Sequence, residues 1–529
     1  MTPTNEPPST HLPDRGTDDN SRAWQKVFTL EDLGRRADAY RQEGKSVVLA
    51  HGVFDLVHMG HIRHLEGARR EGDVLFVTVT ADAYVNKGPG RPIFSQEMRA
   101  EMLAAIGCVD AVGINHGESA EHVLEAIRPD VYVKGSDYEN PEDDVTGKIS
   151  KEKAAVESHG GRLVITKDIT FSSSSLINKY LDVYDRPLQD YLESMRPSNP
   201  IDRLTSLIDS VSDKRVLIVG DAIIDEYQYV VPMGKAAKEN IIATRFQETE
   251  LFAGGVFAVA NTVSNFCAEV EILTCLGEYD DHEDFIRAHL KPNVKMTCVR
   301  RAGAPTTRKL RHINPSYMRK LFEVYFFEDS PLPAPLQQEF NDLVAARAGN
   351  YDMVIASDFG HGLISPSTIE VLLDKSRFLA ANTQTNSANL GYNLITKFRK
   401  ADFVCIDAPE AQLASRDKFS PVEVIAAEKL PKMIDCDRFV ITHGREGCVA
   451  YENGKGLTII PAFTKTVVDT VGAGDAFLAV TAPLAAAGAR IEDIGFIGNA
   501  AGAMKVGILG HRGYIEKIPL MRYITTLLK

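Results

Sequence analysis

Short apolar runs alternate with amphipathic stretches along most of this chain, and the alternation predicts its architecture. Thr29, with Asp32 three residues on, predicts a capped helix to about Gln42, stopped at Gly44. VVLAHG, VLFVTVT, AVGI, VYVK and RLVIT then read as strands. Between them lie helices from about Met59 to Arg70, from the Ser95 cap to Ile106, near Ala120 to Ile127 and near Lys151 to Ser158. A last helix is expected to start in the serine run Ser172 to Ser175. Short apolar strands separated by amphipathic helices define a parallel, doubly wound sheet. A second α/β series starts at RVLIVGD and runs through VEILTCLGE, MVIASDFG, FVCIDAPE and RFVITHG into a helical end. YQYVV, IIATRF, KLRHI and FEVYFF interrupt it and read in part as a small lid sheet.

The expected fold class is α/β, with two doubly wound parallel-sheet domains. Residues 1–25, polar and Pro-rich without a basic and then apolar start, read as a disordered tail. Residues 26–185 form the first domain and 213–529 the second. The stretch 186–212 carries three prolines and no strand and reads as a linker with one helix. At 529 residues the chain exceeds one ordinary core. No apolar run approaches the roughly 18 residues that span a bilayer. Seven scattered cysteines without metal-like spacing fit buried thiols in a reducing cytoplasm. A net charge of −13 without a basic block excludes nucleic acid and an acidic membrane as partners. Nucleotides stay open, since backbone amides and a few cations suffice for a triphosphate.

His58-Met59-Gly60-His61 follows strand VVLAHG at a helix start. Residues three apart share a helical face, and a helix N-terminus offers unpaired N–H groups to an anion. Two imidazoles there can stabilise the charge that grows as pyrophosphate leaves an α-phosphate. Gly52 lets the backbone approach a nucleotide closely. Lys134 ends a predicted strand, where doubly wound sheets bind ligands. GVFDLVHMGHIRHLEGARREGDVLFVTV resembles the cytidylyltransferase-like nucleotidyltransferases and their HxGH motif. With KGPGRPIFSQEMR, PDVYVKGSDY and TFSSSSLINKY, roughly residues 45–182 are similar to the adenylyltransferase half of the bifunctional heptose kinase/adenylyltransferases of ADP-heptose synthesis. The resemblance implies nucleotide and phosphate contacts at Gly52, Phe54, His58 and His61, a phosphate-binding cation at Lys134, and Ser172, Ser173 and Ser174 near the triphosphate. Ala50-His51 replaces the family's Thr-Asn, and Thr80-Ala81-Asp82 its Asn-Ser-Asp, so the base is open between ATP and CTP.

DTVGAGDAF, at 469–477, carries the second chemistry. Gly472, Ala473 and Gly474 offer backbone amides at a helix start to a transferring phosphoryl group, and Asp475 a carboxylate for a hydroxyl proton. The nonamer resembles the ribokinase (PfkB) carbohydrate kinases, and the similarity spans about 213–515. It implies Asp221 and Asp225 on sugar hydroxyls, Gly254-Gly255 as the substrate di-glycine, Lys309 and Arg311 on a substrate phosphate, and Thr442 and Gly444 near ATP. Three departures stand out: Ala258 where heptose kinases carry Asn, Asp407-Ala408-Pro409-Glu410 for Asn-x-x-Glu, and ANTQTNS for Asp-Pro-Lys. Asp407 and Glu410 still offer oxygens for Mg²⁺.

The leading expectation is a cytoplasmic bifunctional transferase of nucleotide-sugar synthesis, its two halves in reverse order to the family it resembles. One domain phosphorylates a heptose-like sugar or sugar phosphate from Mg-ATP; the other joins a sugar 1-phosphate to a nucleoside triphosphate. The alternative keeps the nucleotidyltransferase, with CTP and a polyol or sugar phosphate as further options, beside a non-catalytic sugar-binding kinase-like domain. Either form is expected to be a homo-oligomer, a dimer through the kinase lid.

Overall fold

The apolar runs of the first half become six parallel strands: β1 Val27–Phe28, β2 Val47–Gly52, β3 Val74–Thr80, β4 Ala111–Asn115, β5 Val131–Lys134 and β6 Arg162–Ile165. Their order is β1-β4-β3-β2-β5-β6. β3 is buried at all but its last position, as a strand covered on both faces must be. Helices α1 Leu30–Gln42, α2 Met59–Arg69, α3 Gln96–Ala104, α4 Glu121–Ile127 and α5 Lys148–Ser158 alternate with the strands. Thr29 and Ser95 cap α1 and α3 by accepting the N–H groups of Asp32 and Met98. The strand order reverses between β2 and β5, so a crevice opens beyond their carboxyl ends. Gly52 and Lys134 stand at those ends.

This computed structural model describes residues 22–85, 87–117, 119–135, 148–166, 178, 184–316 and 318–529, and the chain divides into two units. The first comprises the chain up to Val183 with Thr525–Leu527 and Lys529, the second Tyr184–Ile524 with Leu528. Most of the expected tail and the helix expected from the serine run lie outside the described residues.

The second unit has a nine-stranded sheet, ordered β11-β10-β7-β14-β15-β16-β17-β18-β19. Its strands are β7 Arg215–Gly220, β10 Glu269–Tyr279, β11 Val294–Pro305, β14 Met353–Asp358, β15 Leu379–Thr383, β16 Phe403–Asp407, β17 Arg438–Thr442, β18 Cys448–Glu452 and β19 Gly456–Ile460. Only β18 and β19 run antiparallel to their neighbours. The four interrupting segments pair as the expected lid: β13 Arg319–Phe326, β12 Thr307–Asn314, β8 Ala222–Lys235 and β9 Ile242–Gly255, in that order across one sheet.

Residues 186–212 are not a linker with one helix. They form two helices, Arg186–Met195 and Pro200–Asp209, and group with the second unit. Two of their three prolines, Pro187 and Pro200, stand in first turns, where a missing N–H costs nothing. Leu188, Leu192, Leu204 and Ile208, spaced by four, are buried.

Candidate functional site

The nonamer leads into helix Ala473–Ala486. Its first intrahelical bond comes from the Ala476 N–H to the Gly472 carbonyl, so the amides of Gly474 and Asp475 precede it at the positive end of the helix. Gly472 has φ +75°, and a Cβ there would lie 2.6 Å from the His511 ring. Asp475, in the first turn, is buried, and Gln384 donates to its Oδ1 at 2.7 Å. Burial pushes this carboxyl above its ordinary range, with His511 the largest opposing influence.

A cavity of about 330 Å³ opens over this turn, with Gly472, Gly474 and Asp475 in its wall. Asp225, Lys309 and Arg311 also line it, carried on adjacent β8 and β12. Arg311 is ion-paired with Asp225 Oδ1. Burial opposes ionisation of Asp225, but Arg311 and His511 outweigh it and hold the carboxyl below its usual range. A Cβ on Gly254 would fall 2.0 Å from Asp225 Oδ2, so only glycine fits beside that carboxylate. Gly255 lines the cavity itself. Lys309 lies 5.4 Å from the Tyr325 ring centroid and 5.7 Å from that of Phe359, and burial lowers its pKa.

Asp407 and Glu410 face the same cavity. They form a capping box: Asp407 accepts the Glu410 N–H at 2.8 Å, and Glu410 accepts the Asp407 N–H at 2.9 Å. Glu410 also accepts from the Thr385 N–H. Burial, then the charge of Asp407, pushes Glu410 up to about 8. Two carboxyls crowded together and short of positive charge suit a divalent cation, which needs only one or two protein carboxylates beside phosphate and water. Among the described residues, no cluster of three or more His, Cys, Asp or Glu could hold a metal by itself.

The structure brings most of the expected kinase residues together, and separates a few. Thr442 lines the cavity, whereas Gly444 only opens the following turn and Ala473 starts the helix. Asp221 borders a smaller neighbouring cavity, and its Oδ2 accepts the Phe359 N–H at 2.8 Å. Asp469, first residue of the nonamer, accepts from the Tyr227 hydroxyl at 2.7 Å, the Gly510 N–H at 2.9 Å and Lys320 of β13 at 2.6 Å. Gln384 and His511 were not singled out from sequence. Gln384 lies in the atypical ANTQTNS stretch, which was the one available signal; His511 gave none.

In the first unit, His58 caps α2 through Nδ1, which accepts the Gly60 N–H at 3.1 Å. Its ring stacks on His61 with centroids 4.0 Å apart, and Phe54 meets His61 edge-on at 5.2 Å. Burial, then the neighbouring His58, lowers His61 to about 3, so without an anion the ring is neutral. Phe54 holds φ +51°, and its ring fills the space beside Gly52, where a Cβ would lie 3.2 Å away. Lys134 is buried and ion-paired with Glu152 of α5 at 2.9 Å. Ser172, Ser173 and Ser174 lie outside the described residues.

Three further groups accompany the histidines. Arg91 is bound to buried Asp55 at 3.0 Å, and burial lowers nearby Lys87 to about 8. His51 contacts Thr78 at 2.9 Å and Thr80 at 3.4 Å through its two ring nitrogens. The two departures noted at the strand tips, His51 and Thr80, therefore touch each other.

A glycine turn at a helix start, a polar cavity and a four-stranded sheet beside a nine-stranded one thus meet in one unit. The chain belongs to the pfkB family of carbohydrate kinases, whose profile matches residues 213–517. Residues 49–179 match the cytidylyltransferase-like family. Curated relatives include the bifunctional protein HldE of Syntrophotalea carbinolica, 38% identical over 164 residues, 30% of this chain and 32% of the relative. HldE of Methylobacillus flagellatus is 39% identical over 158 residues, 30% of this chain and 31% of the relative. The match thus spans about a third of those relatives' length. A solved ribokinase from Thermotoga maritima aligns with 59% of this chain and 99% of its own, at 18% identity and a TM-score of 0.47.

Proposed function

We propose that this chain is a bifunctional enzyme of nucleotide-sugar synthesis. Its second unit phosphorylates a heptose-like sugar or sugar phosphate from Mg-ATP, and its first joins a sugar 1-phosphate to a nucleoside triphosphate with release of pyrophosphate. The observation that carries the kinase half is the convergence of Asp475, Asp225, Lys309, Arg311 and the Asp407–Glu410 pair on one cavity.

In this reading Asp475 receives the proton of the attacking hydroxyl through the oxygen not held by Gln384. Its raised pKa suits that task, because a carboxyl nearer neutrality is the better base. The amides at the helix start receive the charge spread over the transferring phosphoryl group. Lys309 and Arg311 anchor a phosphate already on the sugar. Asp407 and Glu410 would hold Mg²⁺, which neutralises nucleotide phosphate charge when bound. In the first unit, His58 and His61 sit at the start of α2, and a polyphosphate there would draw protons onto rings that are otherwise neutral. Lys134, held by Glu152, would have to exchange partners to reach a phosphate.

The alternative, a non-catalytic kinase-like domain, rests on Ala258, Asp407 and ANTQTNS in place of Asp-Pro-Lys. Against it, Asp407 keeps both a capping role and a place in the cavity wall, and Gln384 of that stretch donates to Asp475. Exposed Ile242, Phe246, Phe322 and Val324 on the lid sheet support a dimer through that sheet.

Mass spectrometry of products from ATP or CTP with heptose and hexose phosphates tests the reading. The expected outcome is ADP and a newly phosphorylated sugar, with Asp475→Asn reducing that turnover at least about 100-fold. Sugar binding without turnover in the wild type would favour the alternative.

A further inference from the structure

His511 occupies a position that neither the family resemblance nor the reaction just described accounts for. It is 6% exposed and lines the cavity. Nε2 faces Asp225 Oδ2 at 3.4 Å, and the Phe252 ring meets the imidazole edge-on. An ionised carboxylate can only accept, so in the singly protonated ring the proton belongs on Nε2 and Nδ1 is left as an acceptor. Nδ1 is buried with no hydrogen-bond partner among the described residues. It lies on the Gly472 side of the ring, 3.2 Å from where a Cβ on that glycine would stand.

The ring is firmly placed. Gly510, just before it, donates its N–H to Asp469 and offers its carbonyl to buried Lys505. A buried acceptor left unpaired is costly, and the ring that carries this one lines the cavity beside Asp475. Both oxygens of Asp225 are already engaged, one by Arg311 and one by His511.

We infer that His511 is a specificity-determining contact of the sugar site: Nδ1 accepts a hydrogen bond from the hydroxyl next to the one that Asp475 deprotonates. Asp225 fixes the ring's tautomer, and Arg311 fixes Asp225. The substrate class is therefore a sugar carrying adjacent free hydroxyls at the reacting end. This inference rests on the kinase reading above.

The test measures kcat/KM with ATP for a heptose phosphate and its monodeoxy analogues, in wild type, His511→Gln and His511→Ala. Wild type should reject the analogue lacking the neighbouring hydroxyl by about 10- to 100-fold. Glutamine can still donate to Asp225 but has no acceptor at the position of Nδ1. His511→Gln should therefore lose most of that discrimination while using the deoxy analogue about as well as wild type does. If His511 only orients Asp225, His511→Gln will discriminate as wild type does, and the inference is overturned. Equal use of every analogue by the wild type overturns it without any variant. Absence of all sugar-dependent ADP release removes the kinase reading, and this inference with it; turnover with unchanged discrimination in the variants removes the inference alone.

Discussion

Glu410 illustrates what a single residue does in this molecule and how little of that a sequence states. The acid pair Asp407–Glu410 was noted where the resembling family carries Asn-x-x-Glu, and the structure places both residues in one cavity wall. The pair's charge state was not legible in the sequence, because that depends on burial and on the two carboxyls sharing one capping box. With Glu410 near 8, a proton competes with the cation below that pH, so Mg²⁺ binding should tighten as pH rises toward 8 and then level off. Calorimetry in buffers of different ionisation enthalpy should show proton release on Mg²⁺ binding at pH 7. Glu410→Gln should lose both the release and the pH dependence. His511 marks the opposite limit: a histidine in Gly510-His511-Arg512 carries no signal until the chain returns it to Asp225 across more than 280 residues.

Between single residues and the whole chain, most elements followed from apolar periodicity and capping residues. α1, with Thr29 at its cap and Gln42 at its end, matches the expectation, and the four lid strands fall where the interrupting segments were noted. The failures have physical reasons. The stretch 186–212 was expected to hold one helix, whereas it holds two, with Pro187 and Pro200 in their first turns. The β18–β19 hairpin was overlooked although Gly454 and Gly456, at φ +74° and +108°, supply its turn. β15, five residues long, has too short an apolar run to announce itself. One helix start carries a prediction of its own. Gly472→Ala forces a side chain into left-handed backbone and against His511, at a cost of about 1–3 kcal/mol. Thermal unfolding should show that loss. Sugar phosphorylation should fall more than about tenfold, since the displaced amides no longer meet the phosphoryl group.

For the molecule as a whole, two units each carry their own helix N-terminus and their own titratable groups. The histidine pair and its neighbours belong to one unit, and every residue lining the larger cavity belongs to the other. His61→Ala should therefore reduce pyrophosphate release by about 100-fold or more while leaving sugar-dependent ADP release within about twofold of wild type. Asp475→Asn should do the reverse. Coupled assays for the two products, run on the same preparations, decide it; loss of both activities in either folded variant would contradict this division.

The contact between Lys320 and Asp469 ties these scales together. Lys320 rides on the four-stranded sheet, and Asp469 begins the nonamer that leads into the glycine turn. Swinging the sheet outward would strip a cation from a carboxylate that is itself 5% exposed. Any displacement of that sheet would therefore pull on the first residue of the segment that leads into the glycine turn.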